Sequence, residues 1–119
     1  MNKQYAITER ANIQILSPKS LLDEWENRQI LKELQARINA GCHQFVVDLS
    51  NLQLINSVGL NFLLTLLSRI QNVGGQLVLI HVNTFIAKLF ETTRLTSVFE
   101  FQASLEDALA QLEEEKVFA

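Results

Sequence analysis

At 119 residues the chain has the size of one domain rather than two, since domains take roughly 100 to 200 residues each, and positions 1–119 read as a single folded unit. Its 48% hydrophobic and 19% charged residues are globular in composition, so a buried core is expected and disorder is not. Ten basic against thirteen acidic residues give a net charge of -3 with no Lys or Arg cluster, which argues against a nucleic-acid or anionic-membrane surface.

From Tyr5 to Leu16, Ile7, Ile13 and Ile15 alternate with polar residues, so two short strands are expected, turning near Arg10 to Asn12 as an edge hairpin. Pro18 stops extended pairing. A helix follows, opened by Ser20 with Asp23 or by Asp23 with Glu26 as a capping box. Leu31, Leu34 and Ile38 supply its buried stripe, and Gly41 is placed as its left-handed C-cap.

Gln44 to Leu49 is a short apolar run rich in β-branched residues, the pattern of a central strand covered on both faces. Beyond the polar turn at Ser50 and Asn51, the spacing predicts a long helix from Val58 to about Val73. Leu60, Leu63, Leu64 and Leu67 fall on one face, with Leu66 and Ile70 widening it. Asn61, Thr65, Ser68 and Asn72 form the narrow polar stripe, and Gly74-Gly75 ends the helix. Gln76 to Val82 reads as a second buried strand, with Asn83 as N-cap of a short helix whose Ile86, Leu89 and Phe90 face inward. Ser97 to Phe101 is a last short strand, and Ser104 with Asp107 opens a helix with Leu105, Ala108, Leu109 and Leu112 on one face. The order β-β-α-β-α-β-α-β-α gives an α/β fold, a mainly parallel sheet of four to five strands with an antiparallel N-terminal pair and about four covering helices.

Enzyme chemistry finds little purchase here. Cys42 and His43 are adjacent, so on an extended backbone they point to opposite faces and make no nucleophile and base pair. His81 falls inside an apolar strand, where a structural histidine is the ordinary reading. Two separated histidines and one cysteine give no metal-ligand spacing, so no metal or other cofactor is expected. Gly74-Gly75 follows a helix, whereas phosphate cradles need glycines between strand and helix. Glu113, Glu114 and Glu115 beside Lys116 read as a solvated, fraying helix end. A single cysteine excludes an intramolecular disulfide and suits a reducing compartment. MNKQYAITER has no apolar segment of signal-peptide type, and Val58 to Leu67 is too short to cross a bilayer. The expectation is a cytoplasmic domain with no membrane association.

What remains is the turn before the long helix. Ser57 alone is an ordinary N-cap, its hydroxyl accepting from free N–H groups of the first turn. The same place suits phosphorylation, because a phosphate there meets the positive end of the helix dipole. Val58 lies on the side of Asn61 and Thr65, and an exposed apolar residue beside a modifiable serine fits a partner interface.

Val46-Val47-Asp48-Leu49-Ser50, followed by Asn56-Ser57-Val58-Gly59-Leu60, resembles the signature of the STAS domain family, the anti-sigma factor antagonists and their relatives. There a central strand ends in an Asp-Leu-Ser type run, and a loop of the form Asp-Ser-Ser-Gly-Leu opens a helix. The Gly74-Gly75 turn, the helix around Leu89-Phe90 and the closing stretch from Phe99 to Leu109 also fall where the family has equivalents. In such antagonists the first loop serine is phosphorylated by a partner kinase, often the anti-sigma factor itself, and a PP2C-type phosphatase removes the phosphate. The unmodified form binds the kinase and the phosphorylated form releases it. The resemblance implies Ser57 as phosphoacceptor and Asn56, Ser57, Val58, Gly59, Asn61 and Phe62 as partner-binding residues of a bacterial partner-switching protein. Three departures stand out: Asn56 replaces the usual aspartate, Val58 replaces the second hydroxyl residue, and Ser17-Pro18-Lys19 stands where a glycine is usual. A constitutive scaffold of the same fold, with Ser57 merely a cap, is the alternative reading. A small-molecule sensor lacks convergent polar groups on the apolar faces.

Overall fold

The computed structural model describes residues 4–117. Two strands, β1 (Tyr5–Arg10) and β2 (Ile13–Pro18), pair antiparallel from Tyr5 opposite Pro18 to Arg10 opposite Ile13. Ala11 and Asn12 turn the chain at φ 53° and 67°, the two left-handed residues that match the twist of a two-residue hairpin. Then follow α1 (Glu24–Asn39), β3 (Gln44–Asp48), α2 (Ser57–Asn72), β4 (Gln76–Ile80), α3 (Thr84–Thr92), β5 (Glu100–Gln102) and α4 (Leu105–Val117). The element order is the one expected, and the sheet has five strands in the order β1-β2-β3-β4-β5, antiparallel only between β1 and β2.

That sequential order dictates the layering. Parallel crossovers share one hand, so when each strand is added on the same side of the last, every crossover helix lies over the same face. Accordingly α1, α2 and α3 cover one face, packing Ile30, Leu34, Leu63, Leu66, Ile86 and Phe90 against Leu16, Phe45, Val47, Leu77 and Leu79. α4 alone covers the other, with Ala108, Leu109 and Leu112 against Ile13, Ile15, Val46, Val78 and Ile80. Period-two alternation splits each strand between the two cores. This is why Phe45-Val46-Val47 and Leu77-Val78-Leu79-Ile80 are apolar without a break.

Helix boundaries follow local chemistry. For α1 the second of the two capping arrangements is the one formed: Asp23 Oδ1 accepts the Glu26 N–H at 2.9 Å. Ser20 Oγ instead serves the Leu22 N–H within the preceding loop. α1 and α2 both end with a left-handed glycine, Gly41 and Gly74, and the paired bonds Cys42 N–H to Arg37 O and Gly75 N–H to Ile70 O close their last turns. α3 closes in the same manner with Arg94 at φ 60°. Gly75 has no room for a side chain: a Cβ there would stand 2.1 Å from the His43 carbonyl oxygen. Ser104 Oγ accepts the Asp107 N–H, capping α4 as expected. The side chains of Glu114, Glu115 and Lys116 lie outside the described ones. Among the described residues no helix is long and apolar enough to cross a membrane.

Two strand expectations are corrected. The last strand is Glu100–Gln102 rather than Ser97 to Phe101, because the chain is still turning there, with Val98 N–H bonded back to Leu95 O. β4 stops at Ile80, and His81, expected inside the strand, is exposed at φ 56° and bends the chain out of the sheet.

The hairpin is pinned to α1 by polar contacts at the sheet edge. Gln14, although 1% exposed, has both ends of its amide satisfied, accepting from Arg37 and donating to Glu9. Tyr5 donates its hydroxyl to Glu33 Oε1 at 2.6 Å. That hydrogen bond, then burial, then the Glu33 charge push the Tyr5 pKa from 10.0 up to about 12. A raised folded-state value means that the native protein holds this proton more tightly than the unfolded chain. The stabilisation is therefore complete below pH 10.0 and is lost as pH rises towards about 12. Since Tyr5 is the one tyrosine, tyrosinate absorbance should titrate near 12 in the native protein and clearly lower in Glu33→Ala, which removes the hydrogen bond and the charge but not the burial. A native midpoint near 10.0 would contradict this anchoring.

Candidate functional site

The parallel strands β2, β3 and β4 all deliver the chain to the same rim of the sheet, and Ser57 stands there as the first residue of α2. Its role as cap is corrected by the geometry. Asn56 is the N-cap: extended at φ -124° and ψ -171°, it places Oδ1 3.0 Å from the Val58 N–H and 3.2 Å from the Gly59 N–H. Both residue types cap well, and the residue in the extended conformation takes the role. Ser57 is left exposed, and its hydroxyl makes no hydrogen bond among the described residues.

Burial fixes α2 far more firmly than its cap does. Leu60, Phe62, Leu63, Leu66, Leu67 and Ile70 are buried, each stabilising the packed state by about 1.5–3 kcal/mol, against about 1 kcal/mol for a cap. A change at Ser57 therefore leaves the helix in place. Gly59 is held from inside the domain: a Cβ would come within 2.4 Å of Ile55 Cγ1 and 3.2 Å of Leu21 Cβ. The first turn of α2 is thus pressed against the β2–α1 and β3–α2 segments at once. The first turn contains no acidic residue, whereas α1 has Glu24 and Glu26 there and α4 has Glu106 and Asp107. Within its own first turn, the positive end of α2 carries the neutral Asn56 amide and no carboxylate.

The expected partner-binding residues divide into two groups. Asn56, Ser57 and Asn61 are exposed and Val58 is half-buried, while Gly59 is buried and Phe62, 4% exposed, is part of the core. Ser57, Val58, Asn61 and Thr65 line one wall of a cleft of about 670 Å³ whose opposite wall is α1, with Asn27, Arg28 and Leu31. Thr93 and Leu95 close its end.

Sequence reasoning missed the apolar side chains exposed around this rim. Trp25 is 64% exposed, Phe85 62%, Leu54 48% and Leu22 42%. They belong to the segments that follow β2, β3 and β4, on either side of Ser57. The signal was present for Trp25, which stands half a helical turn away from the Asn27, Ile30, Leu34 and Ile38 stripe. Cys42 and His43 lie far from this rim, beside Gly74 and Gly75 at the opposite end of the sheet. Among the described residues no three His, Cys, Asp or Glu side chains are grouped to hold a metal ion.

The model of the STAS domain family matches residues 4–108. BtrV of Bordetella bronchiseptica, assigned by name to the anti-sigma factor antagonists, is 33% identical over 82 residues, covering 69% of this chain and 71% of that protein. Among solved structures, the Thermotoga maritima protein tm1081, named in the same way, superposes with a TM-score of 0.83 at 19% identity over 92% of this chain and 94% of its own. The Bacillus cell fate determinant SpoIIAA in its phosphorylated form superposes with a TM-score of 0.71 at 17% identity, over 90% of this chain and 97% of its own.

The assignment of the cap can be tested by denaturant unfolding. Asn56→Ala should lose about 1 kcal/mol, whereas Ser57→Ala, which removes no cap bond, should stay within about 0.5 kcal/mol of the parent. Asn56→Asp should match or exceed the parent by about 0.3–1 kcal/mol above the carboxylate range, since it caps equally and adds a charge at the dipole end. A larger loss at Ser57 than at Asn56 would reverse the two roles.

Proposed function

Because the chain belongs to the STAS domain family, we propose that it is a binding switch of bacterial partner-switching signalling rather than an enzyme. With Ser57 unmodified it binds an anti-sigma factor that is also a serine kinase. Phosphorylated on Ser57 it releases that partner, and a PP2C-type phosphatase restores the binding form. On this reading it acts in the bacterial cytoplasm, upstream of a sigma factor.

The observation that carries the reading is the free Ser57 hydroxyl, exposed on the rim while Asn56 does the capping. A serine spent on a cap would have to give up a structural bond to be modified, and Ser57 has none to give up. Phosphorylation adds about -1.5 to -2 charge, and at this position the charge meets the positive end of α2, whose first turn has no acidic residue, so the fold tolerates it. The partner does not: a surface packed around a small hydroxyl, with Asn56, Val58 and Asn61 beside it, would have to bury a dianion. Trp25, Phe85 and Leu54 supply the large exposed apolar side chains that anchor such interfaces, and Gly59 and Phe62 shape the surface from beneath. The SpoIIAA structures, one phosphorylated and one unphosphorylated, are in keeping with this reading. Asn56 in place of the family's aspartate favours the second reading, a constitutive scaffold in which Ser57 is never modified.

Co-purification from the native host separates the two. Ser57→Ala should retain the kinase partner and Ser57→Asp should bind it weaker by on the order of a hundredfold, both variants being as stable as the parent within about 0.5 kcal/mol. Equal retention by both variants would establish the scaffold and remove the switch.

A further inference from the structure

Among the described residues, the hydrogen bonds that join the loop delivering Ser57 to α2, residues 49–56, to the start of α3 come from one side chain. Asn83 Oδ1 accepts the Ile86 N–H at 2.8 Å and so caps α3. The other end of the same amide donates from Nδ2 to the carbonyl oxygens of Leu52, at 3.0 Å, and Gln53, at 3.2 Å. The loop has little else to hold its second half. Leu49 N–H bonds to Ile80 O, Leu52 N–H to Leu49 O, and Ser50 N–H to Asp48 Oδ1, all of them before Gln53. Among the described residues no further hydrogen bond joins residues 53–55 to the rest of the chain. Leu52 and Ile55, 3% and 4% exposed, anchor the loop by burial, and Leu54 between them points outward. His81, left-handed directly after β4, makes the bend that leads into Asn83.

A cap needs only the oxygen of Asn83, and serine or aspartate would serve as well. The amide N–H groups have a different use, and both are spent on the Ser57 loop. We propose that Asn83 is a positioning residue for Ser57: it fixes the Leu52 and Gln53 carbonyls and thereby sets where the Ser57 hydroxyl stands relative to α3 and the exposed Phe85. The proposal rests on the reading of Ser57 as phosphoacceptor. It has a consequence for regulation. A rearrangement of the loop on phosphorylation is transmitted through Asn83 to the first turn of α3, so that the partner meets a change at Phe85 as well as at Ser57.

The test uses Asn83→Ser and Asn83→Asp. Both keep an oxygen for the Ile86 N–H, both remove the donors, and aspartate also sets a carboxylate oxygen against two carbonyls. By amide hydrogen exchange on the purified protein, the hydrogen-bonded amides within and directly after the loop, those of Leu52, Val58 and Gly59, should exchange about tenfold faster in Asn83→Ser and faster still in Asn83→Asp. Phe90 in α3 and Leu66 in α2 should keep their wild-type protection, which shows that neither helix has come loose. In native cells the phosphorylated fraction of Ser57, read by intact mass, should fall severalfold in Asn83→Ser. Unchanged loop exchange would overturn the proposal. So would faster loop exchange with wild-type phosphorylation, since Asn83 would then hold the loop without serving Ser57. If the wild-type protein carried no phosphate while loop exchange still accelerated in the variants, the reading of Ser57 would be the part that failed.

Discussion

The Asn56 side chain takes two of the backbone N–H groups that the first turn of α2 leaves without helical partners. The availability of the Ser57 hydroxyl depends on that division of labour. Had Ser57 been the extended residue, its hydroxyl would be spent on the helix and its position would lie one residue outside it. With Asn56 in that role, Ser57 becomes the first helical residue, exposed and uncommitted. The cap is worth only about 1 kcal/mol, a small part of what the buried face of α2 supplies. It nevertheless decides which of two adjacent polar side chains is available for chemistry. The fold supplies the stability and the cap supplies the assignment.

The rim itself follows from topology. A sheet in sequential order with crossovers of one hand puts α1, α2 and α3 over one face, so the three segments entering those helices gather at one end of the sheet. Close packing locks them together there. Gly59 brings α2 against Ile55 and Leu21, and the Asn83 amide reaches the Leu52 and Gln53 carbonyls. Trp25, Leu54 and Phe85 are exposed on these segments. Large apolar side chains gathered around an exposed hydroxyl suit an interaction surface.

Much of the architecture was legible in the sequence because burial writes a strong pattern. Gln44 to Leu49 and Gln76 to Ile80 are strands covered on both faces, and their unbroken apolar runs said so. The leucines of α2 recur at helical spacing, and the Asn83 and Ser104 caps stand directly before their helices. The site was harder to read, for a physical reason in each case. Asn56 and Ser57 are adjacent and both cap well, so composition could not say which is extended. His81 continues an apolar run, and nothing in its type announces a positive φ. Gly59 looked like a contact for a partner, whereas the side chain it lacks would collide with Ile55 inside the domain. Phe62 lies near Ser57 in sequence, but helical phase turns it into the core. The tie from Asn83 to the loop spans about thirty residues, and no local pattern encodes a contact at that distance.

The central claim is that Ser57 is left free in order to be modified. It is tested most directly by intact-mass analysis of the protein isolated from its native cells during growth and under stress, with the peptide spanning Leu52 to Arg69 mapped. The account predicts a species heavier by one phosphate group, localised to Ser57, whose abundance changes between conditions. A protein that stays unmodified at Ser57 in every condition would contradict it and leave the rim as a permanent binding surface.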